Sequence, residues 1–184
     1  MKNSYLSSTI KQFYYYKMLA ENTMEQLQFE DLSWQYNMES NSIAVIENHM
    51  AGNMRSRFTD FLTTDGEKPW RNRDMEFIHA FKTREELLDY WNHGWEQLFS
   101  ALEKLKSSDL EEIVYIRNEG HTVVEALNRQ LAHYPYHVGQ IVFIARMRAG
   151  NNWKSLSIPR NQSQDYNADK FSQDKGVRHF TDNV

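Results

Sequence analysis

The stretch TVVEALNRQLAHYPYHVGQIVFIARMRAG, residues 122–150, decides the fold. Thr122 followed three residues later by Glu125 is a capping box, in which hydroxyl and carboxylate each satisfy one orphan N–H of a helix start. Leu127, Leu131, Tyr134, Val138, Ile141 and Ala145 then recur at helical spacing and make one apolar stripe. Pro135 removes a backbone hydrogen bond, yet the period continues on both sides of it. That pattern predicts one helix with a bend, ending at Ala149-Gly150.

Three other segments share this period. The first runs from about Ser4 to Leu27 and carries Leu6, Ile10 and Phe13. The second starts behind the N-cap Ser42, continues through Ile43, Ile46, Met50 and Met54, and ends near Leu62. Gly52 inside it is tolerable where a neighbouring helix approaches closely. The third opens with the capping box Thr83–Glu86 and follows Leu87, Trp91, Trp95, Leu98, Leu102 and Leu105 to about Lys106. Between the second and third lies a long connection, 63–82, with the turn signal Asp65-Gly66 and the helix-opposing Pro69. Residues 110–120 read as a connector with a short extended piece at Ile113 to Ile116, and nothing alternates long enough to suggest a sheet. The expected fold is all-α: a four-helix bundle over residues 1–150, followed by a docked segment and flexible tail over 151–184.

Composition removes several kinds of chemistry. The chain has 184 residues and no cysteine, so it carries no thiolate metal site, cysteine nucleophile or redox disulfide. Its net charge of -4 argues against nucleic acid as a partner. It has no signal peptide and no apolar run long enough to cross a bilayer, which makes a cytoplasmic location and no membrane partner the expectation.

The histidines carry the chemical signal. His133 and His137 are four residues apart, so one helix presents both imidazoles to the same side and both can reach one metal ion. Such pairs also arise by chance, and a third ligand must come from another helix. His49 is the best candidate, since it is offset from the Ile46–Met50 stripe much as the pair is offset from its own. Asn53, Gln130 and Gln140 fall near the same sector, where they orient ligands or water, or are simply solvated. His79, His93, His121 and His179 sit at weaker positions: an irregular stretch, a solvated face, a helix entry and a tail.

The sequence Asn41-Ser-Ile-Ala-Val-Ile-Glu-Asn-His49-Met50, followed by Leu131-Ala-His133-Tyr-Pro-Tyr-His137-Val-Gly-Gln140, resembles the DinB-like superfamily over residues 1–150. The run Met50-Ala-Gly-Asn-Met-Arg-Ser-Arg-Phe58 and the loop Gly66-Glu-Lys-Pro-Trp-Arg-Asn-Arg73 are similar to a poorly characterised Bacillus-type branch of it. The resemblance implies an up-down-down-up bundle, which suits the long connection between the second and third helices, and often a homodimer. It also implies a divalent metal held by His49, His133 and His137. Relatives of this kind include metal-dependent transferases that use low-molecular-weight thiols.

Three neutral imidazoles leave a coordination position for water or substrate, as in a catalytic site. One reading is transfer of a low-molecular-weight thiol to an electrophile. That chemistry is compatible with a chain lacking cysteine, because the thiol arrives as substrate. A second is metal-dependent amide or ester hydrolysis, although no Asp or Glu announces itself as general base. A third is a non-enzymatic metal-binding stress or interaction protein. The ligand set admits Zn, Ni or Fe. Arg55, Arg57, Arg71 and Arg73 form a basic concentration that either receives an anionic substrate group or pairs with Asp60, Asp65, Glu67 and Asp74 nearby.

Overall fold

The computed structural model describes residues 4–78 and 81–182. Its elements in chain order are α1 (Ser4–Met24), α2 (Phe29–Leu32), α3 (Ile43–Phe58), α4 (Arg84–Lys104), the strands β1 (Ile113–Ile116) and β2 (Glu119–Thr122), α5 (Val123–Ala149) and α6 (Ser163–Ser172). The protein is mostly helical, and α1, α3, α4 and α5 are the four long helices expected from periodicity.

The caps fix where three of them begin. Ser42 Oγ accepts from the Val45 N–H at 3.2 Å, and Thr83 Oγ1 accepts from the Glu86 N–H at 3.2 Å. Glu86 returns its carboxylate to the Lys82 N–H rather than to Thr83, so that box is displaced by one residue. At Thr122 both arms close, with Glu125 N–H donating to the hydroxyl and Thr122 N–H donating to the Glu125 carboxylate at 2.8 Å. The helix α5 runs through Pro135 without interruption. At the end of α1, the Arg84 guanidinium donates to the carbonyls of Met24 and Leu27, both at 2.9 Å, satisfying acceptors that the last turn leaves open.

Packing follows the apolar stripes. Helix α3 lies against α4 and also meets α5, while α1 lies against α5 and also meets α4. Phe13, Trp91, Trp95 and Tyr134 are fully buried at the centre, and the rings of Phe13, Trp95 and Tyr134 sit 5.8–6.5 Å apart. The α3–α4 contact is tight because Gly94 faces Ala51: a Cβ at Gly94 would lie 2.7 Å from the Ala51 Cα.

Two expectations change. The extended piece at Ile113–Ile116 is a strand, but it pairs antiparallel with Glu119–Thr122, so the chain does contain a small sheet. Arg117 and Asn118, with φ of 57° and 62°, make the two-residue turn whose left-handed geometry suits a tight hairpin. The Asp65 carboxylate accepts from both of their N–H groups, and Gly66 N–H donates to the Tyr115 carbonyl, so the loop after α3 holds this ribbon. In the C-terminal part, residues 163–172 form a helix with no buried residue, where sequence periodicity gave only loop. Trp153 packs against the core, and further on His179 Nε2 meets Ser8 Oγ of α1 at 2.9 Å. Among the described residues no helix is long and apolar enough to cross a membrane.

Candidate metal centre

The helix α3 brings His49 to α5, which brings His133 and His137. The three ring centroids are 4.7, 5.0 and 5.5 Å apart, and one nitrogen of each ring lies within 4.8 Å of the others. His49 is 5% exposed and His137 9%, with His133 half-buried. The Nε2 atoms of His133 and His137 are 3.1 Å apart. Two imidazole nitrogens bound tetrahedrally at 2.0–2.1 Å to one ion would be separated by about 3.3 Å, so this edge already has a ligand-pair length. The donor set is nitrogen only, and three histidines this close can hold a metal ion.

Polar partners behind the rings determine which nitrogens face inward. His137 Nδ1 lies 2.9 Å from Gln140 Oε1, an acceptor, which places the proton on Nδ1 and leaves Nε2 basic toward the cluster. His49 Nδ1 lies 2.9 Å from Glu76 Oε2, with the same consequence. The His133 imidazole is held down to about 3, first by burial and then by the neighbouring His137, His49, Arg57 and Arg129. Burial also lowers His137, opposed by its bond to Gln140, and His49 adds to the lowering. Both rings are therefore neutral at neutral pH, the form that ligates.

Glu76 is the site residue that sequence reasoning missed. It belongs to a short 3₁₀ turn, Asp74–Phe77, inside the long connection between α3 and α4. Arg71 grips its carboxylate as a fork, with Nε at 2.7 Å from Oε1 and Nη2 at 2.8 Å from Oε2. The backbone carbonyl of Glu76 accepts from the Asn48 amide at 3.0 Å, and the adjacent Phe77 ring stacks on His49 at 4.7 Å. Burial alone would raise the Glu76 carboxyl. Hydrogen bonds to His49 and Arg71, and Arg71's charge, outweigh it and hold the group below the ordinary glutamate value. Gly52 makes room for this arrangement. A Cβ there would lie 2.4 Å from Glu76 Oε1, so the glycine serves the approach of a carboxylate and not of a helix. That glycine was the one visible signal in the sequence, and it did not say which residue approached.

The other anticipated residues separate. Gln140 contacts His137, as above. Asn53, 5% exposed, accepts a hydrogen bond from the Tyr134 hydroxyl at 3.0 Å. Gln130, 3% exposed, lines a small cavity with Arg57 and Ala126, and its Oε1 has no hydrogen-bond partner among the described residues. The four arginines diverge. Arg57 is buried and bonds the Gly66 carbonyl and Glu67; Arg71 bonds Glu76 and Glu67. Arg73 is exposed over the Phe77 ring, and the Arg55 guanidinium lies 5.8 Å from the ring centroid of Trp70 and 5.2 Å from that of Tyr90. The carboxylate partners are therefore Glu67 and Glu76, whereas Asp65 serves the ribbon turn. His93 is exposed, His121 is half-buried in β2, and His79 lies outside the described residues.

A mostly helical protein with three imidazoles from two helices gathered around one point is a candidate metal-binding protein. The chain belongs to the family described as "Protein of unknown function (DUF1572)", which it matches over residues 1–162. No curated protein and no solved structure matches it.

Proposed function

We propose that this protein is a divalent-metal-dependent enzyme of the DinB-like type, a four-helix bundle of up-down-down-up order that transfers a low-molecular-weight thiol to an electrophilic substrate. The observation that carries the reading is the trio His49, His133 and His137, with two of the rings oriented from behind by Glu76 and Gln140. A Zn, Ni or Fe ion held by these three nitrogens would supply Lewis acidity that lowers the pKa of an incoming thiol.

The chain's own residues divide the remaining work. Gln140 and Glu76 fix the tautomers of His137 and His49. Arg71 keeps Glu76 ionised and prevents it from swinging toward the cluster. Phe77 covers one face of His49 and excludes water from it. Thiol transfer is favoured over hydrolysis because both Glu76 oxygens are already engaged by Arg71 and His49. The nearest carboxylate is thus stabilised in its charged form and turned to Arg71 and His49, which makes it a weak proton acceptor for water, whereas a thiol ionises readily enough to lose its proton to solvent with no protein base. An exposed apolar set on α5, comprising Tyr136, Phe143 and Met147, supports a homodimer.

The test is a turnover screen of metal-loaded protein with bacillithiol-like and other small thiols plus an alkyl electrophile. Thioether formation that disappears in His133→Ala and His137→Ala supports the reading. Full metal occupancy without turnover by any thiol would leave a metal-binding protein and remove the enzyme.

A further inference from the structure

An opening beside Glu76 is not lined by any of the three imidazoles. It is a cavity of about 420 Å³ whose wall includes Asn48, Arg55, Trp70, Arg71, Glu76 and Tyr90, a volume within the range of small-molecule sites. Glu76 is the carboxylate in that wall, and its two oxygens are taken by Arg71 and His49. Arg55 is different. It is half-buried, and no carboxylate among the described residues lies within ion-pair distance of it.

The guanidinium of Arg55 stands 5.2 Å from the centroid of Tyr90 and 5.8 Å from that of Trp70. Aromatic rings steady a cation over their faces but accept none of its in-plane N–H bonds. Arg55 itself lines a cavity whose charged wall carries two arginines and one glutamate. Met75 and the Trp70 ring supply apolar surface, with Trp70 itself 56% exposed at the rim.

We propose that this cavity binds a small organic anion bearing a planar ring, its carboxylate on the N–H edge of Arg55 and its ring against Trp70. The match rests on the bidentate geometry of guanidinium and carboxylate and on π-surface placed beside the cation. The site goes beyond the metal reading and stands without it, because none of the three imidazoles is among the residues that line the cavity.

Titration calorimetry of the full chain, stripped of metal, tests the proposal with phenylacetate, its neutral counterpart phenylacetamide, and inorganic phosphate. The expected result is saturable binding of one phenylacetate per chain, with phenylacetamide and phosphate each at least about tenfold weaker. Arg55→Gln weakens phenylacetate by at least about tenfold, the effect of losing one charge-assisted pair. Trp70→Ala, at an exposed position, weakens it too, and Arg73→Gln leaves it unchanged. Equal binding of acid and amide, equal binding of phosphate, or no saturable binding overturns the proposal. Unchanged affinity in a folded Arg55→Gln does so as well. Should Arg55→Gln fail to fold, Trp70→Ala and the acid–amide comparison on the natural chain decide.

Discussion

Gly52→Ala perturbs the centre without touching a ligand. On an ordinary helix the change stabilises by about 0.8–1 kcal/mol, because alanine is the better helix former. Here the new Cβ would lie 2.4 Å from Glu76 Oε1 and 2.8 Å from its Cδ, where real contacts are 3.0 Å or more. The carboxylate must retreat by about 0.6–1 Å from the helix that carries His49. A free glutamate end would yield cheaply, but this one is held by the Arg71 fork and His49 Nδ1. Hydrogen bonds to charged groups contribute about 1.5–3 kcal/mol each, so weakening two of them exceeds the gain in propensity. The net expectation is a loss of about 1–2 kcal/mol, or about 2–8 °C in Tm for a chain of this size. Metal affinity should fall about tenfold, the low end of what losing a ligand's outer partner costs. Urea denaturation of metal-free protein reads the first quantity, and competition against a chelator reads the second. A Gly52→Ala protein that is more stable and binds metal as before would refute the role given to Glu76.

Three other outcomes follow from the core. Gly94→Ala places a Cβ 2.7 Å from backbone of α3, which cannot yield as a side chain can, so stability should fall by about 1–3 kcal/mol in urea melts; an unchanged midpoint would contradict the close α3–α4 contact. Glu47 is fully buried with neither carboxylate oxygen hydrogen-bonded among the described residues, and burial pushes its carboxyl well above the ordinary value, the Arg84 charge opposing and Glu21 adding. Folding therefore takes up a proton above about pH 4.5, and the natural chain loses stability as pH rises from there toward the raised folded value, by up to about 1.4 kcal/mol per pH unit. Glu47→Met removes that slope, so its advantage over the natural chain should be larger at pH 7 than at pH 5; an equal difference at both would sink the argument. Thr122→Ala removes the hydroxyl arm of the α5 capping box, leaving the Thr122 N–H to donate to Glu125, and should cost about 1 kcal/mol by the same assay, while an unaltered stability would mean the hydroxyl contributes nothing.

What could be read in advance was whatever repeats or caps. Ser42, Thr83 and Thr122 announced three helix starts because a capping hydroxyl acts within three residues of itself. His133 and His137 announced a clip for the same local reason, and His49 was reachable by comparing offsets from apolar stripes. Glu76 was not legible. Its partner His49 is 27 positions away across an aperiodic connection, and no spacing rule joins a loop residue to a helix face. Helix α6 escaped because it buries nothing and so needs no apolar period. The second strand escaped because Glu119-Gly-His-Thr122 is polar and its pairing is dictated by the turn at Arg117-Asn118.

On the proposed reading, His49, His133 and His137 bind one divalent ion. Elemental analysis of protein purified without affinity-tag metal, repeated on His49→Ala, His133→Ala and His137→Ala, addresses it most directly. Close to one metal per natural chain is expected, with a marked loss in each variant that remains folded. Unchanged metal content in all three variants would contradict it.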